Sequence, residues 1–238
     1  QADFLTECAM EHLHNGFTLE LCPGAFPLST DSVALSGFVS PPKRAAVLDL
    51  GSGCGTLGLL LCARFPQCTV TGVELDESAH AMALHNARVN GLQDRLTSIC
   101  ADLTAIPSFL PPGSYTYCIS NPPYFAAGPQ SKAHPTARQE VHCTLEDVFR
   151  SAGWALRYGG DFYLVHRPER FAEACSCASR HGMEVKRVCL LRHKPHDPIS
   201  LTLLSCRKGG KPGLNWEEMC LFREDGTPTD DYRRLYHL

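Results

Sequence analysis

The sequence predicts an α/β fold built around a mostly parallel sheet. Short β-branched or apolar runs alternate with amphipathic stretches through the middle of the chain, which is the pattern of strands joined by crossover helices. With 238 residues and 44% apolar side chains, the chain is long enough for one large domain with a buried core. We expect neither a membrane span nor a secretory signal, because no apolar run reaches about eighteen residues and the chain does not start with a basic and then an apolar segment.

The central part of the chain is expected to contain five strands with helices between them. The strands are predicted at 46–50, 69–74, 96–100, 116–120 and 161–166. The helices are predicted at about 56–65, 77–90, 144–157 and 168–181. Asn90-Gly91 marks the end of the second helix, since this pair readily adopts the left-handed conformation of a helix C-terminus.

The two ends of the chain depart from this alternation. Residues 17–21 and Phe26 resemble a strand pair, followed by a helix capped by Thr30 or Ser32. After residue 182, two apolar runs flank a proline-containing segment, which suits a loop between antiparallel strands at 184–192 and 199–207. The predicted divisions are an N-terminal strand-pair extension (1–35), a central ligand-binding domain (36–208) and a C-terminal extension packed on the same domain (209–238).

The thirteen cysteines are expected to be reduced. Their number is odd, no CxxC pair occurs, and most lie within apolar runs, where a thiol behaves as a small apolar side chain. The examples are Cys62, Cys100, Cys118, Cys189 and Cys206. We therefore expect a reducing, cytoplasmic location, and neither disulfides nor a metal site.

A glycine-rich segment, Asp49-Leu50-Gly51-Ser52-Gly53-Cys54-Gly55, lies where the first central strand ends and a helix begins. Glycines at this position let the backbone approach a ligand at the helix N-terminus. A dinucleotide fingerprint would place its third glycine at Thr56, whereas this chain has GxGxG. A tight turn needs the same residues, so the segment alone does not decide the ligand.

Acidic residues follow the next two strands. Glu74 is placed to accept hydrogen bonds from two ribose hydroxyls, and Asp102 to meet the adenine amine of the same ligand. Each acid, taken singly, also suits a helix N-cap. However, Asp49, Glu74, Asp102 and Asn121 end four successive strands, and open α/β sheets bind ligands at this edge. Together they predict a nucleotide-like ligand.

The segment Asn121-Pro122-Pro123-Tyr124 ends the fourth strand and is suited to hold a planar NH2 group. The Asn121 side-chain oxygen and the Pro122 carbonyl can both accept hydrogen bonds from one amine, while Tyr124 offers a flat face for stacking. An aromatic amine or an amide fits such a holder. The alternative interpretation is a plain turn after a strand.

Taken in this order, the glycine segment, Glu74, Asp102 and the Asn-Pro-Pro-Tyr motif resemble S-adenosylmethionine-dependent class I methyltransferases over roughly residues 25–208. The chain is most similar to the bacterial family that methylates the N6 amine of the adenine next to the anticodon of valine tRNA. Further similar segments are 26–32, 137–140, 165–170 and 232–236. One departure is Tyr115-Thr116, where relatives often have an aromatic residue followed by Asp.

The resemblance implies a Rossmann-like, seven-stranded sheet, mostly parallel with a C-terminal antiparallel hairpin, and S-adenosylmethionine as cofactor. The cofactor-binding residues that it implies are Thr30, Asp49, Gly51, Gly53, Gly55, Glu74, Asp102 and Asn121. The catalytic residues that it implies are Asn121, Pro122, Pro123 and Tyr124. Helix capping is an equally good explanation for the turn around Thr30.

The implied partner is a tRNA that presents an adenine flipped out of its loop. Basic residues concentrate in 186–211, where the only acid is Asp197, so this segment is a candidate RNA contact; a solvated face is the alternative. The histidines lack ligand spacing, and we expect neither a metal nor a membrane partner. The sequence does not determine an oligomeric state.

Four other functions compete with this interpretation. A methyltransferase acting on a glutamine of release factors would hold an amide in the same motif, but such relatives carry a helical domain ahead of the glycine segment. A DNA adenine methyltransferase would need a target-recognition domain, and a ribosomal guanine methyltransferase a duplicated domain. From a different class, the chain could be an RNA-binding scaffold without turnover.

Overall fold

The computed structural model describes residues 9–13, 16–22, 27–41, 44–123 and 143–237. The strands are β1 (Ala9–His12), β2 (Thr18–Leu21), β3 (Ala46–Leu50), β4 (Thr69–Glu74), β5 (Leu96–Cys100), β6 (Tyr115–Ser120), β7 (Leu156–His166), β8 (Met183–Arg192), β9 (Leu201–Lys208) and β10 (Asn215–Cys220). The α-helices are α1 (Thr30–Phe38), α2 (Thr56–Arg64), α3 (Glu77–Val89), α4 (Leu145–Ala155), α5 (Phe171–Arg180) and α6 (Asp230–Tyr236).

The main sheet has eight described strands in the order β10-β8-β9-β7-β6-β3-β4-β5. Strand β9 runs antiparallel to β7 and β8, and the other strands of this sheet share one direction. The predicted α/β class is therefore confirmed, and so is the antiparallel hairpin of β8 and β9. The sheet has eight strands and not seven, because β10 pairs parallel with β8 at the edge.

Helix starts are set by local capping. The α1 helix is capped by Ser29, whose Oγ accepts a hydrogen bond from the Ser32 N–H, and not by Thr30 or Ser32 as predicted. The α3 helix is capped by Asp76. A capping box formed by Thr144 and Asp147 begins α4.

Several predicted boundaries differ from the structure. The helix predicted at 144–157 ends at Ala155, and β7 starts directly at Leu156, whereas the sequence predicts that the strand starts at Asp161. Leu156 pairs with Tyr115, and the pairing resumes at Asp161 with Tyr117 across a register shift. At the N-terminus β2 pairs with β1. Phe26, the predicted partner, lies outside the described residues.

Apolar side chains fill both faces of the sheet. Helices α1, α2 and α3 cover one face, where Leu35 and Leu59 are fully buried. Helices α4 and α5 cover the other, where the rings of Phe149 and Phe162 meet edge to face at 5.1 Å. Helix α6 packs on α1 and buries Leu235 completely. The described C-terminal residues 209–237 thus contribute a strand and a helix to the same core.

The described cysteines are all free thiols. Cys62, Cys118, Cys189 and Cys206 are buried as predicted, but Cys100 is exposed, because it ends β5 at the outer edge of the sheet. Among the described helices, none combines the length and the apolar character needed to cross a membrane.

Candidate active site

The four polar residues predicted to end successive strands do lie along one edge of the sheet. Asp49 is near the end of β3, Glu74 ends β4, Asp102 follows β5 by two residues, and Asn121 directly follows β6. Strand β3 lies between β4 and β6, so the strand order reverses beside it. Such a reversal opens a crevice at the carboxyl ends of the strands, where α/β sheets bind ligands.

The glycine segment turns sharply beside this crevice. Gly51, Gly53 and Gly55 have φ values of 74°, 54° and 84°, which only glycine adopts readily. A Cβ built on Gly51 or Gly53 would meet no described atom within 4 Å, whereas one on Gly55 would lie 3.3 Å from the Cβ of Ala83. The first two glycines therefore border open space, and the third permits α2 to pack on α3.

Glu74 holds the glycine segment in place. Its Oε2 accepts a hydrogen bond from the Gly53 N–H at 2.8 Å, and its Oε1 accepts one from the Asp76 N–H at 2.9 Å. Each carboxylate oxygen can accept a further hydrogen bond, so both remain suited to ribose hydroxyls. Leu75, which follows, is 51% exposed although it is apolar.

Asp49 is the buried acid near the end of β3, beside the crevice. Its side chain is buried, and neither carboxylate oxygen has a hydrogen-bond partner among the described residues. Burial, and then the negative charge of Glu74, raise the pKa of Asp49 to about 8. An unpaired buried carboxylate is unfavourable, so this position favours a ligand that brings a cation or hydrogen-bond donors close to it.

Asp102 and Thr30 occupy helix starts. Asp102 accepts a hydrogen bond from the Thr104 N–H at 2.8 Å and caps the short 3-10 helix that follows β5. Its second carboxylate oxygen leaves room for an additional role at the sheet edge. Thr30 is the first residue of α1, next to the capping Ser29, and is half-buried.

Asn121 is anchored from two sides. Its Nδ2 donates a hydrogen bond to the Oγ of Ser32 at 3.0 Å, and the buried Ser120 before it donates to the Leu50 carbonyl at 2.7 Å. Pro122 is buried and Pro123 is exposed. The sequence did not predict the contact with Ser32, because the partner is 89 residues away in the chain. Tyr124 lies outside the described residues, as do 137–140.

A cavity of about 180 Å³ adjoins the two prolines. His166, at the end of β7, lines it together with Arg170. Burial, and then the positive charge of Arg170, lower the pKa of His166 to about 4, so its imidazole is neutral at pH 7. The sequence analysis did not assign this histidine to the site; its position at the end of the parallel strand next to β6 is the signal that could have done so.

Thiols near the site are poor nucleophiles. Burial raises the pKa of Cys54, in the glycine segment, to about 12, and that of Cys143, which lines the cavity, to about 12 as well. Both stay protonated at neutral pH, and the thiolate is the reactive form of cysteine. Neither thiol is therefore suited to form a covalent intermediate with a substrate.

The structure places the basic residues of segment 186–211 at two opposite edges of the sheet. Arg187 and Arg207 pair with Glu217 and Asp161, each at 2.8 Å, within the strands. Because β8 runs toward the edge that carries Asn121, residues 192–200 lie at that edge, whereas the start of β8 and the end of β9 lie at the opposite one. Of the segment's lysines, Lys194 is the one at the candidate site's edge.

Three features together define a class I methyltransferase: the mostly parallel sheet, the glycine turn after β3, and Glu74 at the end of β4. Residues 31–176 match the model of the methyltransferase small domain family, and the chain belongs to this family. Two relatives, both named tRNA1(Val) (adenine(37)-N6)-methyltransferase, are similar over most of their length. The protein from Vibrio parahaemolyticus is 29% identical over 93% of this chain and 91% of its own. The protein from Dickeya chrysanthemi is 30% identical over 88% and 83%.

Solved structures agree with the fold. A predicted O-methyltransferase from Agrobacterium tumefaciens superimposes with a TM-score of 0.73 at 20% identity, covering 87% of this chain and 96% of its own. TrmN from Thermus thermophilus gives a TM-score of 0.53 at 22% identity, covering 74% and 48%. At these identities the likeness concerns the fold alone.

Proposed function

We propose that this protein transfers a methyl group from S-adenosylmethionine to the exocyclic N6 amine of an adenine in the anticodon loop of a tRNA. The observation that supports it most is Asn121, held by Ser32 at the end of β6, one strand away from the glycine turn of β3. The names of the relatives with 29% and 30% identity supply the substrate.

The residues of the crevice fit S-adenosylmethionine. Open space beside Gly51 and Gly53 accommodates a ligand against the backbone, and the unpaired carboxylate of Asp49 suits the cationic methionine end. Glu74 is at the end of the next strand and would accept the ribose hydroxyls; Asp102 would contact the adenine. When bound, this cofactor supplies an electrophilic methyl group on a sulfonium.

Asn121 and Pro122 would activate the target amine. The lone pair of an adenine N6 is delocalised into the ring, which makes it a poor nucleophile. Hydrogen bonds from the NH2 group to the Asn121 Oδ1 and the Pro122 carbonyl favour a pyramidal nitrogen and aim its lone pair at the methyl group. The methylated nitrogen is cationic and acidic, so its proton leaves to water without a strong base.

The target base has to leave its stack to reach this position. Extrusion costs a few kcal/mol, and stacking on an aromatic side chain returns roughly 1–3 kcal/mol. Tyr124 and Pro123 would form the stacking face, and Pro122 would define the depth of the pocket. An RNA hairpin loop, whose bases are already partly unstacked, is an easier substrate than a duplex.

The tRNA would contact the sheet edge that carries the site. Within the basic segment 186–211, Lys194 and Arg192 are located there, about three strand spacings or roughly 15 Å from β6. Arg187 and Arg207 would instead serve the fold through their ion pairs. Such a substrate would place the enzyme in the cytoplasm.

The direct test is methylation of an unmodified valine tRNA transcript with labelled S-adenosylmethionine, followed by nucleoside analysis. We expect label in N6-methyladenosine with the wild-type protein and none with Asn121→Ala. A release factor is assayed in parallel, since a glutamine amide fits the same acceptors. Label in the protein substrate with unlabelled RNA would assign the site to glutamine methylation instead.

A further inference from the structure

The first turn of α1 reaches into the site through one buried hydroxyl. Ser32 is 7% exposed, and its Oγ accepts the hydrogen bond from Asn121 Nδ2 at 3.0 Å. Its own N–H is bonded to the Ser29 Oγ, which caps the helix. The position of this hydroxyl is therefore fixed by the helix start and not by the loop that carries Asn121.

This contact bears on the chemistry because an Asn side chain has two ends of almost equal size. Oδ1 accepts hydrogen bonds and Nδ2 donates them, so a half-turn of the amide exchanges the two functions. The amine of the substrate also donates. If Nδ2 faced it, two donors would oppose each other and the amine could not be held.

We propose that Ser32 is a positioning residue that fixes the Asn121 amide with Nδ2 toward α1 and Oδ1 toward the target amine. This inference rests on the proposed function, since it concerns the same acceptor. In this structure the hydroxyl accepts from Nδ2. A serine hydroxyl can also donate, but this pairing is the one that directs Oδ1 away from α1. The carbonyl oxygen can accept two hydrogen bonds, so it can serve the substrate in addition to a protein partner.

Three substitutions in α1 separate positioning from packing. Ser32→Ala removes the acceptor, and Ser32→Thr keeps a hydroxyl at the same position. Ser36→Ala is the matched control: Ser36 is fully buried one turn later, and its Oγ bonds the Val33 carbonyl at 2.8 Å and Arg64 Nε at 2.9 Å. It has no contact with Asn121 in the described structure.

For Ser32→Ala we expect kcat to fall at least about tenfold, the effect of losing one aligned hydrogen bond in the transition state, with the Kd for the cofactor within about twofold of wild type. Ser32→Thr should restore most of kcat. Ser36→Ala should lower the Tm and leave kcat nearly unchanged. An unchanged kcat in Ser32→Ala, or a parallel loss of cofactor binding, would overturn the positioning role.

A second measurement does not depend on activity. Urea unfolding of Ser32→Ala, Asn121→Ala and the double variant tests whether the two side chains stabilise each other. We expect the double variant to lose less stability than the two single losses added together, and strict additivity would overturn the contact.

The two proposals fail in different ways. A wild-type protein that fails to methylate any RNA would reject the proposed function, whereas an active wild type with an equally active Ser32→Ala would reject only the role of Ser32.

Discussion

Asp49 links the pH dependence of stability to the candidate site. Its pKa of about 8 in the folded protein lies above the ordinary aspartate value of 3.8, because burial disfavours the charged form. A raised pKa means that the folded state binds the proton more tightly than the unfolded state. The resulting stabilisation is complete below about pH 4 and disappears as the pH rises toward about 8.

Asp49→Asn should therefore flatten the pH profile. We expect the ligand-free wild-type protein to lose unfolding free energy between about pH 4 and pH 8 relative to the Asn variant, which does not titrate. Urea unfolding of both proteins at intervals across this range measures the difference. Parallel curves would show that the carboxylate is charged at neutral pH, with a partner that compensates its burial.

Gly53 tests whether the open space beside the turn is a ligand site. Gly53→Ala adds a methyl group at φ 54°, where a Cβ is strained by about 1 kcal/mol and would enter the space assigned to the cofactor. Gly91→Ala is the matched control, since Gly91 has φ 65° and equally open surroundings at the end of α3. We expect similar losses of Tm, but a cofactor affinity at least about tenfold weaker only in Gly53→Ala, as measured by calorimetry.

The sequence predicted which residues end the strands better than it predicted what they contact. Asp49, Glu74 and Asn121 are at the expected edge because strand positions follow from local apolar runs. Their partners could not be predicted. The Gly53–Glu74 and Ser32–Asn121 hydrogen bonds join distant segments, and Ser32 carried only the signal of a helix cap. The roles of the site residues in binding and catalysis stay predictions.

Helix α1 connects the site to the C-terminal helix. Leu235 of α6 contacts α1 where Gly37 leaves room: a Cβ built on Gly37 would lie 2.4 Å from its Cδ2. The Leu235 carbonyl also accepts a hydrogen bond from Arg64 in α2. Helix α6 thus holds α1 and α2 together, and α1 in turn supplies Ser32 to Asn121.

Leu235→Ala should weaken this arrangement. Removing a fully buried Leu typically costs about 2–5 kcal/mol, so we expect a clear shift of the urea midpoint. Leu214→Ala, at a side chain that is 40% exposed, serves as the control and should shift it little. If both substitutions had equal effects, α6 would not be a stabilising part of the domain.

At the scale of the whole molecule, the sequence predicted the order of the central strands and helices, but it did not predict the outermost strand, β10. The alternation of apolar and amphipathic segments predicted β3 to β7 and the helices between them. Strand β10 was missed because Asn215-Trp216-Glu217-Glu218 is largely exposed and lacks an apolar pattern. Its position depends on pairing with β8, which only the assembled sheet provides.

The direction of β8 also separates two lysines that the sequence placed in one basic segment. Lys186 is near the start of the strand and Lys194 is just beyond its end, and the six residue-to-residue steps from 186 to 192 span roughly 20 Å. Of the two, only Lys194 is thus at the edge that carries Asn121.

Lys194→Gln should weaken tRNA binding several-fold and reduce the slope of log Kd against log salt concentration by about one, whereas Lys186→Gln should change neither. Fluorescence anisotropy at several salt concentrations measures both quantities, and equal losses for the two variants would mean that the RNA does not approach from the site's edge.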